Sequence, residues 1–125
     1  MSAFSFVDKM SANEPPIRVR ALLSFLSTEE GGRQTPAFSG YRPNHNFGEA
    51  SGREFYIGQI TFARSESILP GESKEVDIEF LNGPGLMDAL RSGRPWRIQE
   101  GPKLLATATL IEILGLPDQS GPRPG

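Results

Sequence analysis

Apolar and polar positions alternate with a period of two in two stretches of the chain, 17–21 and 75–80, and that pattern predicts strands. Ile17-Arg18-Val19-Arg20-Ala21 alternates, and Leu22-Leu23-Ser24-Phe25-Leu26 continues as an apolar run expected to be buried on both faces. Glu54-Phe55-Tyr56-Ile57-Gly58-Gln59-Ile60-Thr61-Phe62 is rich in aromatic and β-branched residues and predicts a second strand. Leu69-Pro70-Gly71-Glu72 places Pro before Gly, the pair favoured at the centre of a type II turn. Beyond it, Val76, Ile78 and Phe80 alternate with Glu75, Asp77 and Glu79, which gives an inward apolar face and an outward acidic one. Gly83-Pro84-Gly85 ends that strand, and Leu86 to Leu90 is long enough for one helical turn before Gly93. Two last runs, Pro95–Glu100 and Leu104–Leu114, are expected to pair around Gly101-Pro102-Lys103. About six strands without a long helical pattern or an internal repeat predict an all-β domain, either a closed antiparallel barrel or a sandwich.

The polar stretches divide the chain further. Residues 1–16 read as a loosely ordered N-terminal arm that ends in the stiff linker Asn13-Glu14-Pro15-Pro16; the alternative is that Phe4 and Phe6 dock on the barrel or on a partner. Residues 17–115 form the folded domain, and 116–125, rich in Pro and Gly, reads as a disordered tail. Residues 27–43 make a long structured loop, and Asn44–Arg53 is expected to be an exposed polar loop carrying the sole histidine, His45.

Composition narrows the chemistry. With 14 Gly and 11 Pro among 125 residues, turns and short strands are favoured over long helices. The absence of cysteine excludes disulfides, thiolate-bound metals and thiol catalysis in this sequence. A net charge of −2 provides no global field to attract nucleic acid, so any RNA contact must rest on a local patch. Arg33, Arg42, Arg53, Arg64, Arg91, Arg94, Arg97 and Lys103, with Tyr41, Tyr56 and Trp96 nearby in sequence, are the residues able to build one; scattered solubilising arginines are the simpler reading. No apolar run approaches the roughly 18 residues of a membrane span. The opening Met1–Asp8 lacks the basic and apolar regions of a signal peptide, so a cytoplasmic location with no membrane association is expected.

Catalytic and ligand-binding motifs are sparse. His45 is the one candidate general base, and no Gly-x-Ser-x-Gly elbow accompanies it. Glu75, Asp77 and Glu79 read as a solvated strand face rather than a calcium site. No Gly-x-x-x-x-Gly-Lys-Ser/Thr loop is present, and Gly31-Gly32-Arg33 is too short to cradle phosphates, so nucleotide binding of the P-loop kind is excluded. The expectation is a protein without catalytic activity, cofactor or metal.

One stretch carries more specific information: Leu26-Ser27-Thr28-Glu29-Glu30-Gly31-Gly32-Arg33-Gln34-Thr35-Pro36-Ala37-Phe38-Ser39-Gly40-Tyr41-Arg42-Pro43. It resembles the loop near the start of the third, C-terminal domain of elongation factor Tu, which typically reads Leu-Ser-x-Glu-Glu-Gly-Gly-Arg-His-Thr-Pro-x-Phe-x-Gly-Tyr-Arg-Pro. Among the specified positions only Gln34 departs, standing where the family has histidine. Phe55-Tyr56-Ile57 looks like the family's Phe-Tyr-Phe strand, Leu69-Pro70-Gly71-Glu72 like its Met-Pro-Gly-Asp turn, and Trp96 to Leu114 like its closing hairpin. The resemblance covers roughly 17–114.

That resemblance implies a closed, six-stranded antiparallel β-barrel. In the full factor this domain packs on the GTPase domain, contacts the T stem of aminoacyl-tRNA and meets the nucleotide-exchange factor. Carried over position by position, the tRNA- or partner-facing residues are Arg33, Gln34, Asn44, Glu100 and Gly101. A guanidinium at Arg33 suits a phosphate, amides at Gln34 and Asn44 suit a ribose hydroxyl, and Gly101 admits a close backbone approach. Three departures touch the same surface. Asn44–Arg53 reads as an insertion of about ten residues, the segment before Leu69 is shortened and loses a tRNA-facing threonine, and Pro102 removes an N–H from the Glu100-Gly101-Pro102-Lys103 turn. The resemblance implies a stand-alone, non-catalytic module that binds a component of the translation machinery: an elongation factor, an exchange factor or tRNA. The alternatives are a small immunity or regulatory protein that reuses the barrel, and a weak tRNA binder.

Overall fold

The computed structural model describes residues 15–48 and 55–115. Eight strands and one short helix follow in order: β1 (Ile17–Phe25), β2 (Ala37–Phe38), β3 (Asn44–Asn46), β4 (Phe55–Thr61), β5 (Ser67–Ile68), β6 (Ser73–Phe80), α1 (Leu86–Arg91), β7 (Trp96–Glu100) and β8 (Lys103–Gly115). Six of them close into an antiparallel barrel in the order β1-β6-β4-β3-β7-β8, while β2 and β5 form a separate two-stranded sheet. The barrel reading is therefore the one realised, and the sandwich is not. Residues 1–14 of the expected arm, the expected tail at 116–125 and the second half of the expected 44–53 loop lie outside the described residues.

The barrel follows from the alternation. Ile17, Val19, Ala21, Leu23 and Phe25 of β1 face the interior, where they meet Val76, Ile78 and Phe80 of β6. The expectation that Leu22–Leu26 is buried on both faces fails: the alternation continues to Phe25, and Leu22 is 39% exposed between Glu75 and Thr109 of the flanking strands. A strand in a closed barrel has one interior face, so the other must meet solvent or a covering element. On that outer face Arg18 pairs in register with Glu79 and Arg20 with Asp77, whose side chains bond at 3.2 Å. The acidic strand face is thus matched by arginines across the ladder.

The largest correction concerns Asn44–Arg53. Its first three residues are not an exposed loop but a barrel strand, β3, paired with β4 on one side and β7 on the other. His45 and Asn46 are fully buried. The strand thus starts straight after the Gly-Tyr-Arg-Pro corner, and Phe55-Tyr56-Ile57 opens the strand after it. Polar composition concealed β3, because its buried groups are satisfied by one another instead of by solvent.

Strand β8 stays in contact with both neighbours by carrying extra residues. Ile98 pairs with Ala106 and Gln99 with Leu104, so Leu105 is a bulge residue; its carbonyl accepts the N–H of Leu26 at 2.9 Å, where the long loop begins. Ile111 is a second extra residue, between the Arg20–Glu112 and Ala21–Leu110 pairs. It changes which alternate positions face inward, from Ala106 and Ala108 to Ile113. The helix α1 forms where one turn was expected and buries Leu86 and Leu90 in the same core.

Candidate functional site

The long loop is held by its own short-range chemistry. Glu30 accepts the N–H of Ser27 at 2.8 Å, while the Ser27 hydroxyl accepts the N–H of Glu30 at 3.1 Å, the reciprocal arrangement of a capping box. These bonds from Ser27 hold the Glu30 carboxyl below its ordinary range. The two glycines that follow serve different needs. Gly31 has φ 96°, a left-handed conformation. Gly32 instead lies against the chain: a Cβ there would sit 2.5 Å from the carbonyl oxygen of Leu26. The Pro70-Gly71 turn is formed as expected, with Glu72 N–H bonded to Leu69 O, and Gly71 N–H reaches Leu26 O at 3.1 Å, tying the turn to the loop.

Arg33 is the hub. Its Nη1 donates to Glu100 Oε2 at 2.9 Å, its Nε to Thr35 O, and its Nη2 to Thr35 Oγ1 and Pro36 O. The guanidinium lies 4.9 Å from the centre of the Tyr41 ring. Tyr41 donates its hydroxyl to the same Glu100 oxygen at 2.7 Å. Burial of the phenol, reinforced by the Glu100 carboxylate, pushes its pKa well above the usual tyrosine value. Arg33, Tyr41 and Glu100 therefore lock the loop to the end of the β7–β8 hairpin.

The five residues singled out from the sequence gather toward that end of β7 but differ in availability. The Arg33 side chain is only 21% exposed and its donors are largely used within the protein. Gln34 is exposed and makes no side-chain hydrogen bond among the described residues. Asn44 is half-buried in β3, opposite Gln99. Glu100 is exposed, with Oε2 taken twice. Gly101 is exposed with φ 58°, and because Pro102 after it has its own φ locked negative, the two-residue hairpin turn is of the II′ class. Gln99 beside it is buried, accepting from Asn46 at 2.8 Å and donating to Gly101 O at 3.3 Å.

Two residues proposed for surface roles belong to the core. Trp96 is buried, stacked on Phe47 with ring centroids 4.7 Å apart, so it is unavailable to stack on a base. His45 is buried beneath Gly58, with Phe80 edge-on at 4.8 Å. Its Nδ1 accepts the indole N–H of Trp96 at 3.1 Å, so the ring proton sits on Nε2 and is donated to Gly58 O at 3.0 Å. Burial lowers its pKa to about 4. Among the described residues no group of three His, Asp or Glu side chains converges as a metal-holding site, and no helix is long and apolar enough to cross a membrane.

A surface feature that the sequence reading did not single out lies on the small sheet. Ala37 and Ile68 pair and are both buried, so alternation turns the residues after them, Phe38 and Leu69, outward. Phe38 is 61% exposed and Leu69 46%. Phe38 also edges a groove of about 680 Å³ that runs to Phe62 and Arg64. The signal in the sequence was the short Ala37-Phe38 alternation inside an otherwise polar loop. A scan of the chain against protein-family models finds no match.

Proposed function

We propose that this protein is a non-catalytic binding module of the elongation-factor-Tu C-terminal type that engages a protein component of the translation machinery through its Arg33–Pro43 loop. The observation that carries the reading is Phe38, a large aromatic residue 61% exposed on a backbone pinned by pairing with β5. An apolar side chain carried beside a groove on a backbone already held in a sheet gives up little further backbone entropy on binding, which suits a protein–protein anchor. The run 26–43 supplies the link to translation, through the resemblance it carries.

A protein partner is favoured over tRNA by charge. The guanidinium at Arg33 is paired with Glu100, and Glu29 and Glu30, both exposed, precede it in the same loop. Phosphate binding is governed by unpaired positive charge, and here the key arginine is already neutralised.

Affinity purification from native extract at two salt concentrations, with mass spectrometry and RNA sequencing, tests the proposal. Recovery of an elongation factor or exchange factor at both salts, lost in a Phe38→Ala variant, supports it. Recovery of neither factor, nor of tRNA or ribosomes, sinks it.

A further inference from the structure

A second cleft lies at the opposite end of β7 from Glu100, between α1 and the residues that follow β3. It has a volume of about 610 Å³, and its walls include Phe47, Tyr56, Pro84, Asp88, Arg94 and Arg97. The geometry points to an oxyanion site here, which takes the phosphate group of a small molecule, free or esterified, between Arg94 and Arg97.

The argument rests on how the two guanidinium groups are held. Arg97 is half-buried and donates Nη1 to Gly48 O at 2.7 Å. Arg94 donates Nε to Ser92 Oγ at 3.3 Å. Both anchors are neutral. Neither arginine makes an ion pair among the described residues, whereas Arg20, Arg33 and Lys74 all do. Two like charges are thus brought to one cleft by neutral acceptors, and their repulsion is relieved when an anion arrives. Arginine presents its N–H groups as a planar fork that matches phosphate oxygens, and among the described residues each arginine keeps donors that no protein group takes.

The remaining walls shape the ligand. Tyr56 donates its hydroxyl to Pro84 O at 2.6 Å, which joins the floor to the segment leading into α1. Asp88, exposed on the helix wall, is the single acid lining the cleft among the described residues. Among the described lining residues two arginines stand against one acid, a positive balance that suits a single phosphate group rather than a ligand with a second anionic group. This site is independent of the protein-partner reading, since it shares no residue with the Arg33–Glu100 face.

The test is titration of the isotope-labelled full chain with inorganic phosphate, with glycerol 3-phosphate, and with sodium chloride at matched ionic strength. Amide signals of Gly48, Gly85 and Ala89 and the Nε–Hε signals of Arg94 and Arg97 are followed by NMR. The expected result is a saturable response with a dissociation constant of about 1 mM or tighter, equivalent to roughly 4 kcal/mol, for one or both phosphates. An Arg94→Gln variant is expected to weaken it about tenfold, as loss of one charge-assisted contact implies. Arg94 braces only Ser92 of its own turn, so the barrel signals should stay in place; an Arg97→Lys variant, keeping the charge but not the fork, should weaken binding less. Linear shifts that chloride reproduces, or saturable binding unchanged by Arg94→Gln, overturn the proposal.

Discussion

Trp96 donates its indole N–H to Nδ1 of His45 at 3.1 Å inside the barrel, joining β7 to the polar strand β3. The bond selects one tautomer of a neutral imidazole, and protonation of Nδ1 would break it. Residues that look unsuited to a core, Asn44-His45-Asn46, complete the barrel because each buried polar group finds a partner.

Acid sensitivity follows from this arrangement. The folded-state pKa of His45 is depressed to about 4 from an ordinary 6.5. The unfolded chain therefore binds a proton first as pH falls. The contribution is fully present above about pH 6.5 and is lost progressively down to about pH 4, amounting to roughly 3 kcal/mol. Urea unfolding at a series of pH values should show this slope, and a His45→Phe variant should flatten it while lowering stability at neutral pH through the stranded Trp96 N–H.

Gly58 leaves the space that His45 occupies. A Cβ at this position would lie 2.9 Å from His45 Nε2 and 2.9 Å from Phe80 Cδ1. A Gly58→Ala variant is expected to lose about 1–3 kcal/mol, the usual cost of overpacking. Equal urea midpoints for variant and wild type would contradict the packing described.

The Arg33–Glu100 pair is a lock whose energy is modest because Glu100 faces solvent. A double-mutant cycle with Arg33→Ala and Glu100→Ala should return a coupling of about 0.5–1 kcal/mol, falling with added salt. Hydrogen exchange in the 27–36 loop should accelerate in either single variant, as the loop loses its attachment to the hairpin. Exchange unchanged from wild type would mean that the capping box alone holds the loop.

Ser27 tests that capping box separately. Ser27→Ala removes the hydroxyl that accepts the Glu30 N–H and should cost about 1 kcal/mol in thermal or urea unfolding. The Glu30 carboxyl should then titrate closer to its ordinary value, since that hydroxyl contributes to its depression.

Phe38→Ala and Leu69→Ser are expected to leave stability nearly unchanged, since both side chains are substantially exposed. If the small sheet is the docking face, Phe38→Ala should weaken partner capture by about tenfold or more, the scale of a buried aromatic anchor. Arg33→Ala should act through loop order and so produce a smaller, temperature-dependent loss.

Much of the architecture was legible because it depends on local pattern. Alternation marked β1 and β6, aromatic and β-branched content marked β4, the two runs around Gly101-Pro102-Lys103 marked β7 and β8, and Pro70-Gly71 marked the turn before β6. The miss at β3 has a physical cause: three polar residues show no period, and only their partners on β4 and β7 make them a strand. Leu22 was misjudged because composition cannot reveal that one side of a barrel strand lacks a covering layer.

The candidate site divides in the same way. Local sequence determined the shape of the 27–36 loop, since the Ser27–Glu30 capping box and Gly31-Gly32 act over a few residues. Tertiary structure decided that Arg33 serves Glu100 and Tyr41, that Trp96 and His45 are interior partners, and that Phe38 is left outside. Those outcomes join residues up to 67 positions apart. Short-range preference is written in neighbouring residues, whereas burial and pairing are set by which strands the closed barrel brings side by side.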